Sequence, residues 1–297
     1  MFRGTRKAFL LIALLALALI GLTCMASCAG VTLHEDHDHG AEGLISTPDE
    51  AVDYILTFEG KTCLASRGGA VAKDGDDVVI IKSGVYRLTG HFDGQLRVSV
   101  ADTEHVTLIM DDFSITSPDS AALHVVNAGC VYVEVPEGKT ATLTDATTYV
   151  YDVPGETKPN ACIYAADDIT FRGLGKLIVN ANYNNGIGSK NDLKIKGGSY
   201  EINAVKNALK GNDSVTIESG TILITRCNDG IKTDATETGR GILTISGGTI
   251  EIHAEDDGLQ ASQKIDVTGG LITVEALGKV TNCDGETNIA TGCLVEK

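Results

Sequence analysis

Apolar and polar residues alternate along the second half of the chain, and the alternation recurs in register. One apolar column consists of Leu193, Val215, Leu243 and Ile265. Each of these residues is followed, two positions later, by another aliphatic residue, then by a Gly-Gly or Ser-Gly pair and a second apolar pair. Alternation with period 2, in short runs bounded by glycine turns, predicts β-strands.

The repeat has a period of 22 residues. The tripeptides Asn185-Gly186-Ile187, Asn207-Ala208-Leu209 and Asp229-Gly230-Ile231 follow one another at this spacing. Asp257-Gly258-Leu259 comes 28 residues later, because residues 235–240 form a polar insertion. Short strands of one copy cannot bury an inner face alone, whereas stacked copies can. Weaker copies reach upstream to Val78, so we predict an all-β fold, a right-handed single-stranded parallel β-helix of about nine coils over residues 78–276.

The segments that flank the repeats are predicted to close its ends. Residues 47–77 form a lead-in, where Thr47 as N-cap, Pro48 in the first turn and Glu50 predict a short N-terminal capping helix. Ile55 and Leu56 would belong to its apolar face. Residues 277–297 are expected to form either a C-terminal cap or a partial further coil.

The N-terminus predicts export. Three basic residues precede the apolar run 9–22, which is too short for a comfortable membrane span. Met25-Ala26-Ser27-Cys28 is similar to a bacterial lipoprotein box, so residues 1–28 predict a signal peptide with lipidation at Cys28; a plain signal peptide is the alternative. Residues 29–46 are polar and rich in His and Asp, which is typical of a tether. We therefore expect a cell-surface lipoprotein that contacts the membrane only through its lipid anchor.

Composition narrows the possible partners. The chain has 40 acidic and 24 basic residues and a net charge of −16. This acidic excess argues against a nucleic-acid-binding protein, which needs a basic face. We expect a monomer.

Six cysteines follow the leader, and their pairing cannot be read from spacing alone. Cys283 and Cys293 are the closest in sequence and are the favoured disulfide.

Polar residues stack at one turn of the repeat. The column contains Asn185, Asn207, Asp229 and Asp257, preceded by Asn184, Lys206, Asn228 and Asp256. Coils lie ~4.8 Å apart, and carboxylates at that distance repel unless a cation lies between them. Calcium takes 6–8 hard oxygen ligands. The predicted calcium ligands are Asp229, Asp256, Asp257, Asp234, Asn228 and Asn207. Alternatively, these residues favour the turns and hydrogen-bond along the stack.

Several motifs resemble one family. They are the runs 183–193 and 228–234, the Ile-x-Gly-Gly-x-Ile-x-Ile coils, and the upstream stretches 84–90 and 161–169. Over residues 78–276 they resemble the carbohydrate-binding β-helix domains first recognised in clostridial cellulose- and acid-sugar-binding proteins. The chain departs from the family pattern at residues 205–208, where Asp-Asp-Gly is usual. The resemblance implies a pectate-lyase-like fold, bound calcium, and binding of cellulose or polygalacturonate-like sugars.

The resemblance must be reconciled with the acidic charge. An acidic domain repels a polyuronate unless a bound cation or local lysines intervene. We expect Lys210, Lys232 and Lys190 to contact uronate groups and Tyr183 to contact sugar, while the absence of Trp disfavours crystalline cellulose. The predicted function is non-catalytic, calcium-assisted polysaccharide binding. Two alternatives are a calcium-dependent lyase with Lys210 or Lys232 as base, and a structural or adhesive rod that binds no sugar.

Overall fold

Short strands dominate the computed structural model, which describes residues 52–150 and 158–297. These residues form 28 strands and no helix. In chain order the strands are β1 (Tyr54–Gly60), β2 (Thr62–Ala65), β3 (Val71–Asp74), β4 (Asp77–Ile80), β5 (Gly84–Asp93), β6 (Leu96–Ser99), β7 (His105–Thr116), β8 (Leu123–Asn127), β9 (Cys130–Val135), β10 (Thr140–Thr144), β11 (Ala161–Ala165), β12 (Asp168–Gly173), β13 (Lys176–Ala181), β14 (Asn185–Ser189), β15 (Asp192–Ile195), β16 (Ser199–Ala204), β17 (Leu209–Gly211), β18 (Ser214–Ile217), β19 (Thr221–Cys227), β20 (Ile231–Lys232), β21 (Ile242–Ile245), β22 (Thr249–Ala254), β23 (Leu259–Ala261), β24 (Lys264–Val267), β25 (Leu271–Ala276), β26 (Thr281–Cys283), β27 (Glu286–Ile289) and β28 (Leu294–Glu296).

Each coil contributes to three sheets. The first sheet runs β3-β4-β6-β8-β11-β14-β17-β20-β23-β26. The second runs through β9, β12, β15, β18, β21, β24 and β27, and the third through β10, β13, β16, β19, β22, β25 and β28. The long strands β1, β5 and β7 pass through both the second and the third sheet and join them. Apart from β2 and β3, all neighbouring strands pair in parallel, so the predicted parallel β-helix is confirmed.

The described residues make nine coils, from β4–β5 to β26–β28. Eight of them end by Ala276, because the connection from β10 to β11 takes up residues 145–160. Residues 281–296 form the ninth coil, which pairs in parallel with the eighth through all three sheets. The C-terminal segment is therefore a further coil of the solenoid.

Stacked aliphatic side chains form the core. Leu193, Val215, Leu243 and Ile265 pair in register from coil to coil and are 0% exposed. The turn that follows needs a backbone conformation available to glycine, since Gly198 and Gly220 have φ values of 100° and 111°. The repeated Gly-Gly and Ser-Gly pairs therefore mark the corner between the second and third sheets.

The helix predicted across Ile55 and Leu56 is wrong. Both residues lie in β1, where Tyr54, Leu56 and Phe58 are buried and Ile55 is 45% exposed. Stacking of β1 on β5 buries every second residue, and this packing outweighs the local helix-start signal. β2 folds back on β1 and β3 on β4, both antiparallel, so two hairpins occupy the edges of the first coil. Thr47, Pro48 and Glu50 lie outside the described residues.

The cysteines among the described residues are all free, so the predicted Cys283–Cys293 disulfide is wrong. Cys283 ends β26 in the first sheet, whereas Cys293 directly precedes β28 in the third. Closeness in sequence does not bring them together, because the coil carries them to different sheets.

The predicted signal peptide, the Cys28 lipidation site and the tether lie outside the described residues. No helix that is long and apolar enough to cross a membrane occurs in the described part of the chain.

Candidate functional site

The Asn and Asp column forms a hydrogen-bonded ladder at the corner that leads into the first sheet. Asn185 Oδ1 accepts hydrogen bonds from the backbone N and the Nδ2 of Asn207, at 3.2 and 2.8 Å. Asp229 Oδ1 likewise accepts from the backbone N of Asp257 at 3.3 Å. All four side chains are buried. The side chains thus bind neighbouring coils to one another, as the structural alternative for this column expects.

Three of the predicted calcium ligands come together at this edge. One carboxylate oxygen from each of Asp229, Asp256 and Asp257 lies within 4.8 Å of the other two. Oxygens at such spacing fit around one calcium with ligand distances of ~2.3–2.6 Å, and carboxylates are the hard donors that calcium prefers. Asp256 is exposed and gives solvent access to the cluster. The donor set therefore fits calcium in chemistry and in spacing.

Hydrogen bonds already compensate the two buried carboxylates. Asp229 Oδ2 accepts from the Lys232 ammonium at 3.0 Å. The two oxygens of Asp257 accept from the backbone N of Lys279 at 2.9 Å and from Asn282 Nδ2 at 2.6 Å. A cation at this cluster would share the Asp229 carboxylate with Lys232.

The other three predicted ligands are distributed differently. Asn228 lies beside the cluster, and its Nδ2 donates to Asp229 Oδ1 at 3.2 Å. Asn207 stands one coil earlier in the ladder, bonded to Asn185. Asp234 is not in the three-carboxylate cluster and instead pairs with Lys210 Nζ at 2.6 Å.

A second column runs along the outer face of the first sheet. Tyr164, Gly188, Lys210, Lys232 and Gln260 pair in register through successive coils. The expected stacking of Lys210 on Lys232 is confirmed. Two cationic side chains of an acidic protein therefore project from one face, one coil apart.

A groove of about 440 Å³ opens on this face over the coils of β11, β14 and β17. Gly188 lies in the column between Tyr164 and Lys210 and brings no side chain to it. The lining includes Lys158, Lys190, Lys210, Tyr164, Asn191 and Asn212. Ammonium groups bind carboxylates, and Asn amides and a tyrosine hydroxyl bind sugar hydroxyls. This lining suits a polar, anionic ligand.

Burial raises the pKa of two groups in the groove, Tyr164 and Asp167. It raises the pKa of Tyr164 to about 12, so the hydroxyl stays protonated at neutral pH and can donate. Burial also raises the pKa of Asp167, against the lowering effect of a hydrogen bond from the backbone N of Ala128.

Tyr183 lies beside the groove in an aromatic pair. Its ring stacks on Tyr149 with centroids 4.1 Å apart and an interplanar angle of 23°. Lys158 Nζ lies 5.7 Å from the centroid of the Tyr183 ring. Lys158 also lines the groove, so it connects the aromatic pair to that surface.

The sequence indicated only part of this site. Lys190 and Lys210 were expected to contact sugar, and both line the groove. The 22-residue column that contains Gly188 could have pointed to a gap in the outer face. Lys158 carries no periodic signal, because it belongs to the long connection between β10 and β11.

The sequence and the fold have counterparts among known proteins. A family model described as carbohydrate-binding domain-containing protein matches residues 74–293. A protein of Acetivibrio thermocellus with the same description is 38% identical over 252 residues, covering 84% of this chain and 87% of that protein. The solved structure of the polysaccharide lyase-like protein from C. thermocellum, a gadolinium derivative, is 40% identical. It has a TM-score of 0.80 and covers 83% of this chain and 100% of that chain. On the sequence match and the shared solenoid together, the chain belongs to the family of carbohydrate-binding domain-containing proteins.

Proposed function

We propose that this protein binds polysaccharide without cleaving it, and that acidic glycans such as polygalacturonate bind better than crystalline cellulose. The groove on the first sheet carries the proposal, because Lys190 and Lys210 line it and Lys232 continues the cationic column one coil further. Family membership supports a carbohydrate ligand in general.

Charge and composition favour an acidic ligand. A net charge of −16 repels polyanions, so an acidic glycan is retained only where lysines are concentrated. The column that holds Lys210 and Lys232 provides such a place. A flat strip of indole rings, which would suit crystalline cellulose, is excluded by the absence of Trp.

Calcium assistance is part of the proposal. The carboxylates of Asp229, Asp256 and Asp257 would hold the ion, with Asn228 alongside. Bound calcium would supply positive charge at an acidic edge of the coils, next to the lysine column. Lys232 joins the two features, since it lies in that column and donates to Asp229.

The positions of the lysines support binding over lyase activity. A lyase that uses a lysine as its base needs an amine that accepts a proton from the sugar. Lys210 is bonded to Asp234 at 2.6 Å and Lys232 to Asp229 at 3.0 Å. Each ammonium group forms an ion pair with a carboxylate, and this arrangement suits recognition of negative charge better than proton abstraction.

We also propose that the protein lies on the bacterial surface and that a lipid on Cys28 anchors it to the membrane. The sequence of residues 1–28 supports this proposal. A Cys28→Ala variant that still incorporates labelled fatty acid and still partitions with membranes would contradict it.

Calorimetric titration with polygalacturonate and with neutral cello-oligosaccharides tests the binding function. Each titration is run with calcium and with a chelator. We expect the polyuronate to bind more tightly, and the chelator to weaken its binding. The double variant Lys190→Met/Lys210→Met should lose about tenfold or more in affinity, as expected when charge-assisted hydrogen bonds to a ligand are removed.

Lys194→Met is the matched control for Lys190→Met and Lys210→Met taken singly. Lys194 lies on β15 in the second sheet and is not part of the groove lining, and each single variant removes one positive charge. Equal losses in the control and a groove variant would contradict binding in the groove. Ultraviolet absorbance from unsaturated uronate during the titration would favour the lyase alternative.

A further inference from the structure

One coil carries an unusually long connection between the first and second sheets. Nine residues, 233–241, lie between β20 and β21. Only two residues separate β17 from β18, and two separate β23 from β24. The extra length creates a loop beside the outer lysine column, and Asp234 lies near its start.

Hydrogen bonds on either side of Asp234 hold the loop in place. The backbone N of Thr233 donates to the carbonyl of Gln260 at 3.0 Å. The backbone N of Ala235 donates to the carbonyl of Asn212 at 3.0 Å. Thr233 and Ala235 are both buried, so the backbone fixes the direction in which Asp234 projects.

Asp234 projects towards the groove lysine. Its Oδ2 lies 2.6 Å from Lys210 Nζ, and the two side chains are 39% and 24% exposed. The Asp234 carboxylate is chemically equivalent to the carboxylate of a uronic acid. A partly exposed ion pair contributes little to stability, so one carboxylate can replace the other on Lys210 at small cost.

The pair formed by Lys232 differs. Asp229 is buried, and its Oδ1 also accepts from the backbone N of Asp257 in the ladder. If Lys232 turned towards a ligand, the buried Asp229 carboxylate would lose its cationic partner, which is costly for a buried charge. Of these two lysines, Lys210 is the one whose partner can be exchanged.

We propose that Asp234 acts as an internal competitor, occupying on Lys210 the position that a sugar carboxylate takes on binding. Asp234 thereby weakens the affinity of the groove for acidic glycans and discriminates against ligands that cannot displace it. This inference rests on the proposed function, and it gives Asp234 a role separate from that of a calcium ligand.

Binding of polygalacturonate to the Asp234→Asn variant, in the presence of chelator, tests the proposal. Removing a competing exposed ion pair should tighten binding about two- to fivefold. Glu237→Gln is the matched control, because it removes one negative charge from an exposed position of the same loop. The control should change affinity far less than Asp234→Asn does.

Two further variants connect the effect to Lys210. Lys210→Met should weaken binding, and Asp234→Asn should give no gain when combined with it. Thermal unfolding of each variant verifies that the fold is kept. Equal effects of Asp234→Asn and Glu237→Gln, or a gain that persists without Lys210, would overturn the proposal.

Calcium titration supplies an independent readout. Asp234→Asn should leave calcium affinity unchanged, and a tenfold loss would reassign Asp234 as a metal ligand and overturn the proposal. Suppose that the wild type binds polygalacturonate, that Lys210→Met weakens this binding and that Asp234→Asn does not change it. The proposed function then stands and the competitor role fails. If neither the wild type nor any variant binds polygalacturonate, with or without calcium, the proposed function and the competitor role both fail.

Discussion

The buried carboxylate of Asp145 is satisfied by hydrogen bonds from one side chain and from the backbone. Asp145 is 3% exposed and accepts hydrogen bonds from the hydroxyl of Tyr149, at 2.6 Å, and from the backbone N of Asn182. Burial raises the pKa of Asp145 to about 6, and these hydrogen bonds only partly oppose the effect. The residue joins the long connection between β10 and β11 to the coil of β13, next to the Tyr149–Tyr183 pair.

Asp145 should make stability depend on pH. Between its ordinary pKa of 3.8 and a folded pKa of about 6, the folded state retains a proton that the unfolded chain releases. The free energy of unfolding should therefore fall as pH rises through this window, by roughly 3 kcal/mol at most. Asp145→Asn should flatten that dependence in denaturant unfolding measured from pH 4 to 7. The exposed Asp119→Asn variant is the control, and a slope as steep in Asp145→Asn as in the control would contradict the assignment.

At the scale of the strand, stability comes from ladders that continue through successive coils. Ile202 on β16, Ile224 on β19 and Ile252 on β22 pair in register and are 0% exposed. Each side chain packs between aliphatic side chains of the two neighbouring coils, so no coil completes its own core. The adjacent residue Leu223 faces outward on the same strand and is only partly buried.

Truncation of a ladder residue should therefore be costly. Ile224→Ala leaves a cavity between two coils, and we expect it to lower the free energy of unfolding by about 2–5 kcal/mol. Leu223→Ala, which removes similar volume from the outer face, should cost about 1 kcal/mol or less. Urea unfolding of the two variants gives the comparison. Similar losses would indicate that the outer face of β19 is packed as tightly as the core.

For the whole molecule, the two ends of the solenoid differ. Antiparallel hairpins occupy the edges of the first coil, whereas the ninth coil ends the described chain with β26, β27 and β28. Cys283, Ile289 and Leu294 of this coil, and Val280 just before it, are partly buried against the core. The last coil thus shields the fully buried residues of the eighth.

Removal of residues 279–297 tests this protective role. Ile265 and Ile272, now 0% exposed, would lie at an uncovered end. Stacked repeats are stabilised by their neighbours, and exposed strand edges promote association. We expect a lower melting temperature and self-association in light scattering. Deletion of Lys297 alone is the control: it removes a surface bond to Glu251 and one backbone hydrogen bond to Val274, and it should change both readouts far less.

Local periodicity was sufficient to predict the solenoid. The 22-residue spacing determines which residues stack, so the aliphatic ladders, the Asn and Asp column and the Lys210–Lys232 pair all follow from the sequence. Every coil repeats the same environment, so a residue's position in the repeat largely decides its surroundings.

Features outside the repeat depended on tertiary packing. A helix-start signal precedes β1 in the sequence, yet pairing with β5 makes Ile55 and Leu56 part of a strand. Cys283 and Cys293 are close in sequence but lie towards different sheets. Lys158, which lines the groove, and Asp234, which forms an ion pair with Lys210, lie in the two long connections between strands. The lengths of these connections break the 22-residue period. The sequence alone determined the stacked coil, because its signal is local and repeated. The tertiary structure decided the ends and the non-repeating loops, because their conformations depend on single contacts between distant residues.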